Sequence, residues 1–326
     1  MSTKEKLLEL LAQARGQSLS GEEIAKALGL SRAAVWKAAL ALRQEGYALE
    51  AAPRRGYALL PGSGPLRLEA LLPHLSAEAK RAEIQLFQSL ESTNQALKAL
   101  ALQEAPHGTA LLAEEQTKGR GRFGRAFHSP KGTGLYLSIL LRGDLLKGKI
   151  PSAFTLCAAV AACAAVEEVC SLRPQIKWVN DLMLNGRKVC GILSEAAQSL
   201  EGGGLDWLVV GLGLNVSTRA FPPEIEALAG SLYEDASPPE DLRPRLAAAL
   251  LNRLLSPQTW AFGPETRAEY EKRMLFLGER ALVRLGEERF QARIEGVDEL
   301  GRLLVEKEGG GGLALASSEA RIEAPG

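Results

Sequence analysis

The sequence predicts an α+β protein made of three consecutive regions. Residues 1–62 contain short amphipathic helical stretches, residues 66–276 alternate strand-like and helix-like segments, and residues 277–326 are strand-like and rich in turns. A long apolar helix over 151–171, set among several strands, favours an α+β core over a regular βαβ series. The Pro- and Gly-rich cluster 61–65 is typical of a linker. A chain of 326 residues is long enough for two or three domains.

The composition is that of an ordinary globular chain. The formal net charge is zero, so a nucleic-acid partner has to be sought in local charge. The charged N-terminus lacks the apolar core of a signal peptide. No run approaches the roughly 18 apolar residues that a spanning helix needs. We therefore expect a cytoplasmic protein without a membrane partner.

The cysteines do not predict a metal site. They form no CxxC pair, and no histidine stands near them at metal-ligand spacing. The first three fall in an Ala-rich apolar stretch and are expected to be small buried residues. The four are Cys157, Cys163, Cys170 and Cys190.

The first region has the pattern of a helix-turn-helix. A short helix over 21–28 is followed by Gly29, and Ser31 is a good N-cap for a third helix that runs to about Gln44. Residues 47–60 then read as a two-stranded wing with a basic tip.

Local charge in this region favours DNA binding. Residues 29–57 contain five basic side chains and only two acidic ones, Glu45 and Glu50. Such a local excess of positive charge is what counterion release from DNA requires. Small residues early in the third helix allow close approach to a major groove. A helical dimerisation or regulatory module with a solvated charged face is the alternative. The predicted DNA contacts are Ser31, Arg32, Ala33, Trp36, Lys37, Arg43, Arg54 and Arg55.

A Gly/Arg-rich loop in the second region predicts an anion site. Residues 116–131 alternate glycines with five basic residues and contain no acid. Glycine lets the backbone approach a ligand, and guanidinium groups bind phosphate or carboxylate through paired hydrogen bonds. The glycine spacing fits neither a P-loop nor a dinucleotide-binding fingerprint. We expect a loop that is mobile when empty and orders on an anion; an Arg/Gly-rich nucleic-acid contact or a solvated loop is the alternative.

Three further segments accompany this loop. They are 91–94 (ESTN), 177–193 (KWVND through GRKVCGIL) and 211–216 (GLGLNV). In their order along the chain and in their residues, these segments and the loop resemble the catalytic domain of the biotin protein ligases. The first region, through 30–37 (LSRAAVWK) and 55–57 (RGY), resembles the winged helix of the bifunctional ligase/repressors.

The resemblance implies the architecture and the partners. It implies domains at 1–62 (winged helix), 66–276 (a ligase core similar to class II synthetases) and 277–326 (a small SH3-like β-barrel). It implies biotin and ATP as substrates, Mg²⁺ bound with the ATP, and no other metal site. Its implied partners are a biotin carboxyl carrier protein of acetyl-CoA carboxylase, operator DNA near biotin genes, and a second copy in a homodimer. If biotinyl-adenylate ordered loops at a dimer interface, dimerisation and operator binding would rise together.

The resemblance also implies roles for site residues. Lys177 is the expected electrostatic catalyst, with Arg120 and Arg122 holding carboxylate and phosphates and Asn215 near Mg²⁺. The residues expected to bind biotin are Ser92, Thr93, Asn94, Gln116, Gly119, Arg120, Arg122, Lys177, Gly191, Leu193 and Gly213. Those expected to bind ATP are Arg122, Arg125, Lys177, Asn180, Asn215, Phe127 and Phe221.

The chain departs from the family pattern in two places. Val179 stands where proline is usual, which predicts a less rigid turn. Ser317 and Ser318 replace a Gly-Gly pair, and no arginine clearly matches the family's late one. Two other functions stay open at this point: a ligand-sensing transcription factor without catalysis, and an acyl ligase for lipoate or octanoate on the same fold.

Overall fold

The computed structural model describes residues 2–14, 17–44, 47, 49–52, 56–59, 66–198, 204–234, 238–239 and 241–323. Helices dominate the first region, a seven-stranded mixed sheet the second, and a five-stranded antiparallel sheet the third. The α+β class is therefore confirmed. The predicted linker at 61–65 lies outside the described residues.

The N-terminal region consists of three helices and a hairpin: α1 (Thr3–Gln13), α2 (Gly21–Leu28), α3 (Arg32–Gln44), β1 (Leu49–Ala52) and β2 (Gly56–Leu59). These elements share a small core of their own, whose most deeply buried members are Leu7, Leu11, Ile24, Val35 and Leu42.

Local capping sets the boundaries of these helices. Ser20 and Glu23 form a reciprocal capping box at the start of α2, and Gly29 ends it with φ of 65°. Ser31 begins α3 as predicted, because its Oγ accepts a hydrogen bond from Ala34 N at 3.2 Å.

The central region has seven strands in the order β3-β4-β5-β9-β8-β7-β6. The pair β3–β4 is parallel and the other neighbours are antiparallel. The elements are α4 (Leu68–Leu71), β3 (Ile84–Phe87), α5 (Thr93–Leu102), β4 (Ala110–Ala113), β5 (Gly134–Arg142), α6 (Pro151–Cys170), β6 (Gln175–Lys177), β7 (Asp181–Leu184), β8 (Arg187–Gln198), β9 (Leu205–Asn215), α7 (Leu242–Leu254) and α8 (Pro264–Glu271).

The two faces of this sheet carry different helices. Leu112 and Leu137 belong to the cluster that contains α6 and α7. Leu111 and Leu140, their neighbours in the alternating register, pack with Leu97 of α5. Helix α5 is thus on the face opposite α6 and α7.

Helix α6 corrects the estimate of apolar length. Its 20 residues are long and apolar enough to cross a membrane by those two criteria alone, although no such stretch was expected. About 67% of its most apolar window is buried against the sheet and α7. That burial is typical of the core helix of a globular domain.

The C-terminal sheet is ordered β13-β12-β11-β10-β14. Its strands are β10 (Arg280–Leu285), β11 (Glu288–Val297), β12 (Leu303–Lys307), β13 (Gly312–Leu315) and β14 (Ala320–Glu323). Its buried residues, among them Val283, Ile294 and Val305, belong to the same hydrophobic cluster as α6. The C-terminal sheet therefore packs onto the central core.

A buried ion pair joins separate parts of the central region. Glu114, just after β4, and Arg243 of α7 are both fully buried, and their side chains meet at 2.8 Å. Glu114 also accepts a hydrogen bond from the backbone of Leu66, and Arg243 donates to Gly134 O at 3.1 Å. The start of the central region, α7 and β5 are thereby tied to the end of β4.

Candidate active site

An open cavity of about 390 Å³ lies between the Gly/Arg-rich loop, the N-terminus of α5, strands β6 to β9 and the last strand β14. Almost all the residues proposed for biotin or nucleotide line it. Those that do are Ser92, Thr93, Asn94, Gln116, Arg120, Arg122, Arg125, Phe127, Lys177, Asn180, Gly191, Leu193, Gly213, Asn215 and Phe221.

Gly119 was expected to let backbone approach a ligand, but it lies between the two arms of the loop. Its carbonyl accepts a hydrogen bond from Phe127 N at 2.9 Å. A Cβ at position 119 would stand 2.4 Å from Phe127 O. Glycine is required here because the arms of the loop approach closely.

One part of the cavity carries a connected set of polar side chains at the start of α5. Ser92 is the N-cap of α5, yet within the described residues its side chain makes no capping hydrogen bond. Gln116 Oε1 accepts from Thr93 N at 2.9 Å, and Gln116 Nε2 donates to Ser129 Oγ at 3.0 Å. We call Thr93, Gln116 and Ser138 the acceptor end.

Ser138, on β5, was not singled out from the sequence. It is fully buried, with its Oγ 2.7 Å from Thr93 Oγ1 and 2.6 Å from Asn94 Oδ1. Asn94 is also buried, so the start of α5 is tied to the sheet. A serine inside an apolar strand gave no sequence signal of this role.

Another part of the cavity carries positive charge. We call its residues Arg122, Lys177 and Arg321 the cationic end. Arg122 donates to Asn180 Oδ1 at 3.3 Å and to the carbonyl of Ser317. Burial lowers the pKa of Arg122, and the nearby charge of Arg321 lowers it further. Burial is also the main cause that lowers the pKa of Lys177.

Arg321 is a cavity residue that the sequence analysis did not predict. It lies on β14, lines the cavity, and stacks on the exposed ring of Phe123 at 4.6 Å. Arg122 stacks on the same ring at 5.0 Å. Phe123 has φ of 57° and Gly124 φ of 72°, so a left-handed turn presents this ring to both guanidinium groups.

The ring of Phe127 covers the glycines of the sheet. A Cβ on Gly213 would lie 2.4 Å from the Phe127 ring, and one on Gly191 would lie 3.2 Å from it. Both glycines were expected to admit a ligand, and here they admit an aromatic side chain. Lys188 Nζ lies 5.9 Å from the same ring and 2.6 Å from Asp181 Oδ1.

Phe221, the second aromatic proposed for adenine, comes from the loop after β9. Its ring packs edge-on against His128, with ring centroids 6.0 Å apart. His128 Nε2 also lies 3.1 Å from Ala220 O. The loop around Phe221 therefore contacts the Gly/Arg-rich loop, and both loops line the cavity.

The turn at Val179 is fixed by its surroundings. Val179 is buried, and its carbonyl accepts from Tyr270 OH at 3.3 Å. Asn180 Nδ2 donates to Ile192 O at 2.9 Å, and Trp178 Nε1 donates to Gly301 O at 3.2 Å. These contacts hold the backbone that proline was expected to stiffen. The Trp178–Val179 peptide bond is cis.

Asn215 is the best candidate for a contact to Mg²⁺. Its Nδ2 donates to Gly230 O at 2.9 Å, and its buried Oδ1 has no hydrogen-bond partner within the described residues. Those residues contain no cluster of three His, Cys, Asp or Glu side chains that could hold a metal. An amide oxygen beside bound phosphates fits Mg²⁺, which keeps waters and takes few protein ligands.

Four of the predicted DNA-contacting residues lie on one exposed face of α3. Arg32, Ala33, Trp36 and Lys37 are exposed, whereas the buried face of the helix packs into the N-terminal core. Arg43 is instead held to the hairpin, since its guanidinium donates to Leu49 O at 2.7 and 3.0 Å. Arg54 and Arg55 lie outside the described residues.

Comparisons with known proteins agree with this arrangement. The profile of the Biotin/lipoate A/B protein ligase family matches residues 86–215, and an HTH domain profile matches residues 3–58. The chain is 36% identical over 305 residues to the bifunctional ligase/repressor BirA of Bacillus subtilis, which covers 92% of this chain and 93% of that protein. It is 30% identical over 325 residues to the Escherichia coli BirA, covering 96% and 97%.

A solved structure also matches the central and C-terminal regions. The biotin protein ligase from Aquifex aeolicus, in complex with biotin and ATP, superposes with a TM-score of 0.63 at 31% identity. The match covers 74% of this chain and 99% of that one.

Proposed function

This chain belongs to the family of bifunctional biotin protein ligase/repressors, and from that premise we propose how its cavity carries out the ligase reaction. It is a biotin protein ligase with an N-terminal DNA-binding module, so the resemblance drawn from the sequence is confirmed. The observation that supports the mechanism is that Thr93 and Gln116 of the acceptor end line the same cavity as the cationic end.

We propose that biotin binds with its ureido ring at the acceptor end. Ser92, Thr93 and Gln116 supply hydrogen-bonding groups, and Leu193 supplies apolar contact for the tail. A small-molecule site needs this combination of convergent polar groups and an apolar wall.

In the first reaction, a carboxylate oxygen of biotin attacks the α-phosphorus of ATP and pyrophosphate leaves. The two reactants repel because both are anionic, so the protein must supply positive charge and alignment. Lys177 contacts the carboxylate and the α-phosphate, while Arg120 and Arg122 hold the carboxylate and phosphates. Arg125 and Arg321 neutralise the remaining phosphate charge, and Phe127 and Phe221 cover the adenine.

Bound Mg²⁺ would neutralise phosphate charge, and Asn215 is the residue of this chain that would contact it. The protein's own residues perform the alignment. The unpaired Oδ1 of Asn215 supports this assignment.

In the second reaction, the ε-amine of a carrier lysine attacks the acyl carbon of biotinyl-adenylate. The new amide bond forms as AMP leaves with the carboxyl oxygen, and the amine gives up its proton. No covalent enzyme intermediate is required. Cysteine nucleophiles are also unsuited to the reaction, because burial raises the pKa of Cys157 and of Cys163 to about 12.

The partners follow from the same premise. We propose that the carrier is the biotin carboxyl carrier protein of acetyl-CoA carboxylase, and that the exposed face of α3 binds operator DNA near biotin genes. A cytoplasmic homodimer whose DNA affinity rises with biotinyl-adenylate completes the proposal. Gel shifts with and without biotin plus ATP test it, and DNA binding that ignores both ligands contradicts it.

Two assays separate this function from its rivals. Pyrophosphate release on mixing the full chain with ATP and biotin, followed by transfer of labelled biotin to a carrier fragment, supports the ligase. Release of pyrophosphate with lipoate but not with biotin favours the lipoate-type reaction. The matched family profile includes lipoate ligases as well as biotin ligases. Biotin binding without pyrophosphate release favours a ligand-sensing transcription factor.

A further inference from the structure

We propose that Phe123 is a positioning residue, whose ring holds the guanidinium groups of Arg122 and Arg321 ready for the phosphates of the nucleotide. The inference rests on the proposed function, since it adds a residue to the site where ATP is placed. Phe123 was not singled out from the sequence.

Phe123 lies at the tip of the Gly/Arg-rich loop. The loop narrows towards this tip, because Gly121 N donates to Arg125 O at 2.7 Å. The ring lines the cavity but is 55% exposed, so burial of apolar surface alone does not account for its position. Its charged neighbours are Arg122, whose guanidinium carbon is 5.0 Å from the ring centroid, and Arg321, at 4.6 Å.

The backbone at Phe123 is strained. Its φ of 57° and ψ of 34° are left-handed, a conformation that a bulky side chain rarely adopts because its Cβ comes close to the backbone. Gly124 follows with φ of 72°, where the same conformation costs a glycine little. The loop thus keeps a phenylalanine at an unfavourable position of the turn. Contacts of the ring with the two arginines offset that cost.

The two guanidinium groups repel each other. Burial lowers the pKa of Arg122, and the charge of Arg321 lowers it further. Asp181 attracts Arg122, but this carboxylate is itself paired with Lys188 at 2.6 Å. The face of an aromatic ring carries negative potential and attracts cations, so Phe123 offsets part of the repulsion without adding a carboxylate.

An aromatic partner leaves the guanidinium groups free to bind an anion. A carboxylate would occupy the N–H edge of an arginine, whereas a ring stacks on the face of the guanidinium plane. Of its five N–H donors, Arg122 uses two, towards Asn180 at 3.3 Å and towards the carbonyl of Ser317. The other donors of Arg122, and those of Arg321, can form charge-assisted hydrogen bonds with phosphate oxygens.

The ring also joins two separate parts of the molecule. Arg122 belongs to the Gly/Arg-rich loop, whereas Arg321 lies on β14 of the C-terminal sheet. Without the ring each guanidinium group would sample more positions, and ordering both groups around the phosphates would cost more entropy. Loss of the ring should therefore weaken ATP binding. Biotin affinity should change less, because the ureido ring is placed at the acceptor end.

Steady-state kinetics of pyrophosphate release by the full chain test the inference. Phe123→Leu keeps an apolar side chain but removes the ring, and we expect the KM for ATP to rise about tenfold, from the usual strength of cation–ring contacts. Phe123→Tyr keeps the ring and should leave the KM for ATP close to that of the wild type. In Phe123→Leu, the affinity for biotin measured by calorimetry without ATP should change less than the KM for ATP.

A fluorinated series separates charge from shape. Phe123 is replaced in turn by mono-, di- and trifluorophenylalanine, whose fluorines withdraw electrons from the ring face while nearly keeping its size. We expect the KM for ATP to rise stepwise with the number of fluorines, because each one weakens the attraction between the ring and a cation. A merely structural role of the ring would leave the KM unchanged along the series.

The matched control is a second contact between a cation and a ring, in the C-terminal sheet. Lys307 Nζ lies 4.0 Å from the ring centroid of Phe290, and both residues lie outside the cavity lining in the described structure. Phe290→Leu should leave the KM for ATP unchanged. If Phe123→Leu fails to melt cooperatively, the fluorinated series tests the inference without it.

The outcomes separate this inference from the function beneath it. A raised KM for ATP in Phe123→Leu, recovery in Phe123→Tyr and a stepwise rise along the fluorinated series support it. An unchanged KM for ATP in Phe123→Leu, or a flat fluorinated series, overturns the positioning role alone. A raised KM for the carrier fragment with an unchanged KM for ATP also overturns it, since the exposed ring would then contact the protein substrate. A wild type that releases no pyrophosphate with biotin and ATP overturns the proposed function and the inference together.

Discussion

The acceptor end and the cationic end of the cavity are built in opposite ways. At the acceptor end, Thr93, Gln116 and Ser138 are joined to their neighbours at hydrogen-bonding distances of 2.6–3.1 Å. At the cationic end, Arg122, Lys177 and Arg321 bring like charges together, and burial lowers the pKa of the first two. One end is satisfied before a ligand arrives, whereas the other is stabilised by the anion it binds.

This difference assigns a separate task to each end. A prearranged hydrogen-bonding pattern discriminates between ligands, because a wrong atom leaves a buried group unpaired. Concentrated positive charge discriminates little between anions, but it stabilises the charge that develops in adenylate formation. Selection and catalysis should therefore respond to different substitutions.

The largest effect is expected from removing the lysine of the cationic end. Lys177→Gln should lower the rate of pyrophosphate release about a thousandfold, a typical loss for a group that stabilises transition-state charge. Biotin affinity measured without ATP should change only a few-fold. The matched control is Lys118→Gln, because the exposed Lys118 pairs only with Glu91 in the described structure and lies outside the cavity lining. Equal losses in both variants would contradict the assignment.

A smaller effect is expected for retention of the intermediate. Arg122→Ala removes charge-assisted hydrogen bonds and the link between the loop and the C-terminal sheet. Biotinyl-adenylate should dissociate about ten- to a hundredfold faster, from the usual strength of such bonds. Rapid filtration of labelled adenylate measures the rate, and an unchanged half-life would show that the loop does not retain it.

The comparison also predicts a pH dependence of stability. Burial lowers the pKa of Lys177 below its ordinary 10.5, so the unfolded chain binds the proton more tightly than the folded chain. Between the lowered folded value and 10.5, the free energy of unfolding of the ligand-free wild type should rise with pH relative to Lys177→Met. At neutral pH the methionine variant should be the more stable. Urea melts across this range test both statements, and a constant difference between the two proteins would refute them.

The smallest effect is expected at an exposed ion pair beside the loop. Glu91 and Lys118 meet at 2.7 Å, but both side chains are more than half exposed. Glu91→Gln should change the free energy of unfolding by less than about 1 kcal/mol, as measured for exposed pairs. Adenylate formation should be unaffected. A marked loss of activity would extend the cationic end to this part of the loop.

Local signals in the sequence predicted the parts of the molecule that depend on neighbouring residues. Ser31 and Gly29 set helix ends through adjacent backbone, and the loop after Gln116 carries its charges in one run. Hairpin β7–β8 was missed, although Asn185 and Gly186 both have positive φ and this pair is a strong turn signal.

Long-range packing decided what the sequence did not predict. Arg321 reaches the cavity only because the C-terminal sheet packs onto the core. Ser138 has the neighbours of an ordinary strand residue, and its role depends on Thr93 and Asn94 more than 40 positions earlier. Phe127 covers Gly191 and Gly213 for the same kind of reason, since three separate segments meet there.

The contact between Arg122 and the carbonyl of Ser317 spans 195 positions of sequence. During synthesis the ribosome releases the Gly/Arg-rich loop long before it releases the residue that anchors it. A nascent chain can therefore fold much of its sheet before the loop has its anchor. The link between the loop and the C-terminal sheet can form only after residue 317 has been synthesised.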